Sequence, residues 1–502
     1  MFYPAVLPGP RSQSRGHGVV RKSSSAGPLA RTESLLRSRR TGLFLGLLAL
    51  ALGGCASLAP DTRLNAVQGL TKERTGQELR WNRTEGDTAG IRATVRQLLT
   101  RPLSVDDAVQ ITLINNRGLQ ATYADLGIAD ADWVATSWPR NPSFSFSHLQ
   151  GGGIKEIERA FTLNVAGLLV MPLTIRMEGG RLASTQLAVA AQVLDIAAQT
   201  RRAYFRAVAA AQTAKYMQQV QVAADASAEL AQRMMKAGNW SKLDQAREKV
   251  FYTEATAKVV RAQHAALAAR EALTRLLGLS GEDTKFQLPE RLPELPSEIG
   301  DASDLEAKAL QNRMDVRAAK QDAASLADSL GLTKATRFIN VLEVGYKTKS
   351  DSDVPLKRGY EIELELPLFD WSGAKVAKAE YLYMQSVDRA AEVGTHAQSE
   401  VREAYSSYRS AFQLAQHYRD EVVPLRKQIS DENLLRYNGM LISVFELLAD
   451  AREQVQSVNA SIEALRDFWL AATDLDSAVY AGAGAMSRGA MRSDASFRKD
   501  HQ

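Results

Sequence analysis

Three short segments of this chain recur, in the same order, about 200 residues further on. Asn115-Asn116-Arg117-Gly118-Leu119-Gln120-Ala121 answers to Asn312-Arg313-Met314-Asp315-Val316-Arg317-Ala318. Met171-Pro172-Leu173 answers to Leu366-Pro367-Leu368, each closing a strand-like run. Ala237-Gly238-Asn239-Trp240-Ser241 answers to Tyr437-Asn438-Gly439-Met440-Leu441-Ile442-Ser443, where each long helical pattern breaks. One such match is within chance. Three in order at a near-constant offset imply two copies of one unit: helix, two strands, long helix, break and returning helix.

The long helices limit the fold most. Gly179 to Lys236 holds no proline, and its only glycines stand at its start. At 1.5 Å per residue it would reach roughly 85 Å, and Gly373 to Tyr437, with Pro424 as its expected kink, about 95 Å. Single globular helices rarely run so far, so these are read as coiled-coil or tube elements. Val444, Leu448, Ala451, Val455, Val458, Ile462, Leu465 and Trp469 keep a 4,3,4,3 spacing, the 3.5-residue period of a left-handed coiled coil. Leu243, Ala246, Val250, Thr253, Ala257 and Val260 repeat it in the first returning helix, with His264 at the next core position. Alanines between Ala183 and Ala214 would let neighbouring backbones approach closely.

Ahead of each long helix lies period-two alternation. Phe144 and Phe146 alternate with Ser143, Ser145 and Ser147, and after Gly151-Gly152-Gly153 a second strand is expected from about Ala160 to Met171. Later, Leu342, Val344 and Tyr346 alternate with Glu343, Gly345 and Lys347. A polar loop is expected from Thr348 to Lys357, and then Ile362, Leu364 and Leu366 alternate with Glu361, Glu363 and Glu365. One apolar and one polar face is the pattern of a strand between lipid or core and water.

The rest of the chain is punctuation. Residues 56–103 show no clear period and read as irregular. Ser104 is an expected N-cap, with Asp106 and Asp107 in the first turn, for a helix running to about Trp138 and stopped by Pro139 and Pro142. Leu288 to Ser303, with three prolines, reads as a linker, and residues 482–502 as a disordered polar tail. The domains are therefore 1–54, a signal-bearing prefix; 55–103, an irregular N-terminal segment; 104–288 and 304–481, the two units; and 289–303, the linker between them.

Charge misleads until the prefix is removed. Residues 1–54 carry eight Lys and Arg against the single Glu33, which takes the formal charge from +5 to −2 for the remainder and leaves no case for nucleic acid. Arg37-Ser38-Arg39-Arg40, an apolar run from Gly42 to Leu52 and then Leu52-Gly53-Gly54-Cys55 resemble a secretory signal ending in a bacterial lipobox. The run is shorter than the roughly 20 residues a span requires. The resemblance implies that Cys55, the only cysteine, takes diacylglycerol and palmitate and becomes the mature N-terminus. Forty residues ahead of a signal are more than such signals carry, so a start downstream of Met1 is expected. No thiol then remains for a disulfide or a metal, and the fold must rest on packing.

These residues together resemble the outer membrane efflux protein (TolC) family, in its lipoprotein branch, over about 104–481. The carriers are the doubled Asn-x-x-x-Leu/Val-Gln/Arg-Ala helix, the strand pairs closing in Pro-Leu, Leu366-Pro367-Leu368-Phe369-Asp370, and the tip Gly439…Ser443-Val444-Phe445-Glu446-Leu447-Leu448. Arg117 and Met314 stand where the family often has proline, and Ala449 separates Leu448 from Asp450. The resemblance implies a mainly helical protein with a small β part. Three copies would form a 12-stranded outer membrane β-barrel continued as a periplasmic α-helical tube. It implies a passive exit duct for drugs, metal ions or other small molecules. Its partners would be a periplasmic adaptor, an inner-membrane transporter and outer membrane lipid. Adaptor docking would fall on Gly238, Asn239, Ser241, Asn438, Gly439 and Ser443, with a gate at Leu448 and a nearby acid, Asp450 or Glu446.

The strand faces add their own expectation. Phe144, Phe146, Phe161, Leu163, Val344, Leu364 and Leu366 would face lipid, with Glu343, Glu361, Glu363 and Glu365 in the lumen or on a solvated face. A lipid-anchored adaptor or coiled-coil scaffold is the alternative, although adaptors usually carry one helical hairpin and this chain carries two. No enzyme, cofactor or metal centre is expected. The chain has no Walker A or His-Glu-x-x-His sequence, and His148, His264, His396 and His417 are scattered. Met234, Met235 and Met440 near the tips read as packing residues.

Overall fold

The computed structural model describes residues 60–301, 303–337, 341–352, 354–365 and 371–482. Cys55, Leu366-Pro367-Leu368 and the tail beyond Gly482 lie outside them. The chain is mainly helical with one antiparallel four-stranded sheet.

Residues 60–98 are not irregular. They form α1 (Pro60–Thr75) and α2 (Glu85–Leu98). Leu64, Val67, Thr71 and Thr75 bury one face of α1, and two threonines in that stripe hide the helical period from a count of apolar residues. At α2, Thr84 and Asp87 cap each other's backbone N–H in a reciprocal box.

Next come α3 (Val105–Asn115) and α4 (Arg117–Thr136), then β1 (Ser143–Gly151) and β2 (Ile154–Asn164). They lead into α5 (Val165–Lys236) and the returning α6 (Lys242–Leu277). A similar order follows: α7 (Leu305–Asn312), α8 (Met314–Thr336), β3 (Leu342–Asp351), β4 (Val354–Leu364), α9 (Gly373–His417), α10 (Val423–Asn438) and the returning α11 (Val444–Tyr480). Ser104 caps α3, accepting the Asp107 N–H at 3.1 Å. The expected single helix to Trp138 is broken at Asn116, whose side chain caps α4 by accepting from the Leu119 N–H at 3.0 Å.

The two breaks, at Asn116 and Arg313, join the start of each half to its end. Asn115 Nδ2 donates to the carbonyls of Leu277 and Gly278, both at 2.9 Å, and Asn116 Nδ2 to Leu276 at 2.8 Å. These are the open carbonyls at the C-terminus of α6. Gly278 follows at φ +67°, and a Cβ there would sit 2.8 Å from the Asn115 carbonyl oxygen. In the second half Arg313 does this work. Its Nη1 donates to Ala478 near the end of α11 at 3.1 Å, and its Nε to the Asp315 carboxylate at 2.9 and 3.1 Å. Its Nη2 pairs with Glu400 of α9. Gly482, at φ +89°, lies so close over Asp315 that no Cβ would fit. Burial pushes the Asp315 carboxyl up, against the pull of Arg313.

Three other expectations are corrected, and the interruption expected at Pro424 is found. The second strand ends at Asn164, and Val165 to Met171 are already helical, with Pro172 inside α5. Asn164 decides this, because its side chain accepts from the Gly167 N–H and starts the helix. The region expected as a polar loop, Thr348 to Lys357, is mostly strand, because β3 runs to Asp351 and β4 starts at Val354. Cross-strand pairing carries these polar residues into the sheet. Helix α9 gives way to a π segment, Tyr418–Val422, before Pro424 at the head of α10. A proline without an N–H is accommodated by such a local rewinding of the ladder. Finally, the heptad stripes are out of phase with burial. Leu243, Val250 and Val260 of α6 are exposed, as is His264, while Glu248, Ala255 and Val259 pack instead. On α11 the positions from Val444 to Trp469 are half-buried apart from Ile462, and Asp450, Ser457, Ala464 and Phe468 lie deeper.

Alanines of α5, among them Ala190, Ala197, Ala207 and Ala209, are buried as expected and admit the neighbouring helices. Phe468 stacks on Tyr408 with 5.4 Å between centroids, and Trp469 on Phe205 at 5.3 Å. The segment 289–299 is tied across this cluster. Leu292 and Leu295 are buried, and Trp469 Nε1 donates to the Pro293 carbonyl at 3.0 Å.

Arg313→Ala should cost about 3–5 kcal/mol, because it strands Asp315 and the Ala478 carbonyl in a buried site. Chemical denaturation measures this, and Arg117→Ala at the exposed neighbour of the first break should change stability by less than about 0.5 kcal/mol.

Candidate functional site

Two regions carry the residues singled out above: the faces of the sheet and the tips of the helical hairpins. The sheet order is β1-β2-β3-β4, with β1 and β4 as open edges. Gly152 (φ +59°) and Gly153 (φ +86°) form the turn between β1 and β2, since both positions require the left-handed region.

The register places the alternation on two distinct faces. Phe144, Phe161, Tyr346 and Tyr360 are successive cross-strand partners and form one aromatic row. Leu163, Val344 and Ile362 form the next row, and Leu342 pairs with Leu364 beyond them. Phe144, Phe161, Val344, Leu364 and Tyr360 are exposed, Tyr360 at 84%. Phe146 shares this face. The opposite face carries the carboxylates, and they are partly compensated. Lys347 pairs with Glu158 and lies 4.0 Å from Glu361, and Lys349 pairs with Glu156 at 2.5 Å. Glu343 and Glu363 are direct cross-strand partners of like charge, and neither has an ion pair among the described residues. Glu365 continues beyond β4, its N–H donating to the Val341 carbonyl at 3.3 Å. Sequence alternation identified the acids but not Lys347 and Lys349 as their partners, because pairing depends on register.

At the hairpin tips both helices end in the same hydrogen-bonded turn. Gly238 N–H bonds to Met235 O at 3.1 Å and Asn239 N–H to Met234 O at 3.0 Å. Met440 N–H bonds to Tyr437 O at 2.9 Å and Leu441 N–H to Arg436 O at 2.8 Å. Each is a Schellman motif needing a left-handed residue. At the first tip that residue is Gly238 (φ +81°). At the second it is Met440 (φ +59°), not Gly439, whose φ is −82°. Gly238 therefore corresponds to Met440 in geometry, a pairing that matching glycine to glycine missed. Met440 is 93% exposed and does not pack as expected.

Ser241 and Ser443 cap the returning helices, accepting from Asp244 N–H at 3.2 Å and Glu446 N–H at 3.3 Å. Asn239 and Asn438 are exposed beside them. Above the tips, Glu248 of α6 is buried and held by Arg452 of α11 at 2.9 Å and Ser227 of α5 at 2.9 Å. Arg452 also lies over the Phe251 ring at 4.4 Å. Leu448 is half-buried, Glu446 exposed, and Asp450 buried with an Oδ2 that has no hydrogen bond among the described residues. The Glu248–Arg452 pair was not foreseen, since the two residues lie 204 positions apart.

No helix of the described residues is long and apolar enough to cross a membrane, and no group of three metal-ligating side chains occurs among them. No protein-family profile matches the chain, and no curated protein matches it by sequence. Solved structures do match. CusC, studied for its folding and transmembrane channel formation, is 17% identical over 75% of this chain and 92% of its own, with a TM-score of 0.63. The outer-membrane channel OprN is 17% identical over 81% and 94%, at 0.62. The Campylobacter jejuni outer membrane channel CmeC is 15% identical over 82% and 92%, at 0.59.

The chain has the TolC-family fold of these outer membrane channels. Within that fold, the apolar and acidic faces belong to its sheet and the two Schellman turns to its hairpin ends.

Replacing Met440 with glycine should stabilise the second tip by about 1 kcal/mol, because it relieves a side chain held in the left-handed region. Gly238→Val should destabilise the first tip by at least as much. Gly439→Ala should be nearly neutral, since a Cβ there meets only ordinary contacts of 3.6 Å or more. Amide exchange at residues 236–241 and 437–443 reads all three.

Proposed function

We propose that three copies of this chain form an outer membrane channel, the passive exit duct of a tripartite efflux pump. The observation that carries this reading is the sheet: four strands, one apolar exposed face, and an open edge on either side. Unpaired strand edges are intolerable in hydrocarbon. Twelve strands from three protomers would close the barrel, with Phe144, Phe146, Phe161, Leu163, Val344 and Leu364 outward and the acids inward. In the same assembly the exposed stripe of α6, from Leu243 through Val260, would find its coiled-coil partner on the neighbouring protomer. The two halves are read as copies of one unit, which would turn threefold symmetry into a nearly sixfold tube.

The tips fit a docking role. Gly238, Asn239, Ser241, Asn438, Gly439 and Ser443 would present exposed backbone and small side chains to a periplasmic adaptor, and an inner-membrane transporter would supply the energy. Leu448 would be the apolar constriction, with Glu446 as the accessible acid and Asp450 packed behind it. Cys55, acylated with diacylglycerol and palmitate, would add a lipid anchor to the barrel. The duct itself would not be an enzyme and would use no cofactor. Drugs, metal ions or other small molecules would be chosen mainly by the pump.

Single-channel recording in planar bilayers tests the reading. The purified protein should conduct as a trimer and prefer cations. Glu343→Gln with Glu363→Gln should weaken that preference more than Glu361→Gln, whose charge Lys347, shared with Glu158, partly offsets. A trimer that never conducts would overturn the channel reading. Equal selectivity in all variants would remove the acids from the lumen. Leu448→Ala should leave assembly intact and make cells permeable to large antibiotics, and mass spectrometry of the membrane form should find Cys55 acylated at the mature N-terminus.

A further inference from the structure

The sheet face assigned to lipid is not wholly apolar. One row beyond the aromatic row, toward the hairpin turns, Phe146, Arg159, Thr348 and Arg358 are successive cross-strand partners. Both arginines are exposed. Arg159 lies over the Phe146 ring at 5.9 Å, and neither guanidinium has an ion pair among the described residues. Lys155, opposite Gln150, and His148, opposite Ile157, lie on the same face nearer the turns. The register places no Asp or Glu of the described strands on it.

The other face behaves oppositely. There Lys347, Lys349 and Lys357 lie beside carboxylates, Glu158, Glu156 and Asp351 respectively. The cations of one face are thus neutralised within the sheet, and those of the other are left for something outside it.

We propose that Arg159 and Arg358 bind the phosphate groups of anionic lipids in the outer leaflet. This rests on the barrel reading given above. Aromatic rows of membrane barrels sit at headgroup level, and two residues along a strand advance roughly 7 Å. Arginine side chains from that next row reach the phosphate plane, while their stems and the Phe146 ring remain against acyl chains. A guanidinium presents a planar fork that matches two phosphate oxygens. The cost of a lipid-facing arginine is greatest at the bilayer midplane and falls to little at the interface, so two per protomer in this row fit the headgroup level and no deeper one. Phosphate pairing would fix the depth and tilt of the barrel, leaving the lumen charge to Glu343 and Glu363.

The test uses the full-length trimer in zwitterionic detergent, with retained lipid counted by native mass spectrometry. Phosphatidylglycerol, phosphatidylcholine and inorganic phosphate are the probes. The native protein should retain phosphatidylglycerol over phosphatidylcholine, and inorganic phosphate at equal concentration should not displace it. Each arginine removed should weaken retention roughly fivefold, so R159Q/R358Q should lose most of it while still forming trimers that conduct. K347Q/K349Q, on the opposite face, should retain lipid as the native protein does. Equal retention by R159Q/R358Q, or displacement by inorganic phosphate, would overturn the site. A native chain that neither trimerises nor conducts would overturn the barrel reading and the site with it. Loss of lipid in K347Q/K349Q alone would reverse the assignment of the faces.

Discussion

The capping of the returning helices by the breaks in the starting helices is what the remaining architecture hangs on. At each break a short polar side chain or a guanidinium reaches the last carbonyls of a helix whose residues lie some 160 positions away in sequence. Those carbonyls have no partners within their own helix, and leaving them bare in a packed region would be costly. Asn115 and Asn116 meet the need with amides, and Arg313 meets it with a charge that then requires Asp315 and Glu400. A left-handed glycine, Gly278 or Gly482, lets the chain leave each helix directly over the polar groups. Because the joints hold the ends of α6 and α11, the long hairpins below and the strands above are positioned from the same place.

The two halves meet equal demands with unequal chemistry. The first long helix is uninterrupted from Val165 to Lys236, whereas the second is divided by the π segment before Pro424. α10, beyond that segment, buries none of its residues within the protomer, and exposes Leu425, Ile429 and Leu435. At its end Met440 holds a conformation that Gly238 adopts freely. The second hairpin is thus the less firmly built of the two near its tip. There Arg452 ties it to the first hairpin, pairing with the buried Glu248, which Ser227 supports, and lying over the Phe251 ring.

The sheet shows how one alternating pattern can hold two electrostatic solutions. On the carboxylate face the lysines of β3 sit among acids of β2 and β4, so most of the charge is settled locally. Toward the helices that compensation stops, and Glu343 faces Glu363 directly. Like charges in direct cross-strand register destabilise a sheet. Their position nearest the helical part concentrates the uncompensated negative charge at one level of the strand.

Much of this was legible in the sequence because it is local. Ser104, Ser241 and Ser443 announced helix starts, since a hydroxyl three residues ahead of an N–H needs no distant partner. Phe144 and Phe146 against Ser143 and Ser145 announced a two-faced strand, since the pleat alone separates odd from even residues. The order of the main elements followed from such signals, and the outer membrane channel fold from the family resemblance that they carry together. Tertiary structure decided the rest. A heptad stripe says which residues share a face but not which neighbour covers it, so Leu243, Val250 and Val260 remain exposed while Glu248 is buried. Matching glycines placed the second tip at Gly439, but the closing hydrogen bonds require the left-handed residue one position later, at Met440. The alternation of glutamates marked a polar face, while register alone decided that Lys347 shields Glu361 and leaves Glu343 beside Glu363. Local geometry depends on neighbours along the chain, but burial, pairing and charge compensation depend on residues that only folding brings together.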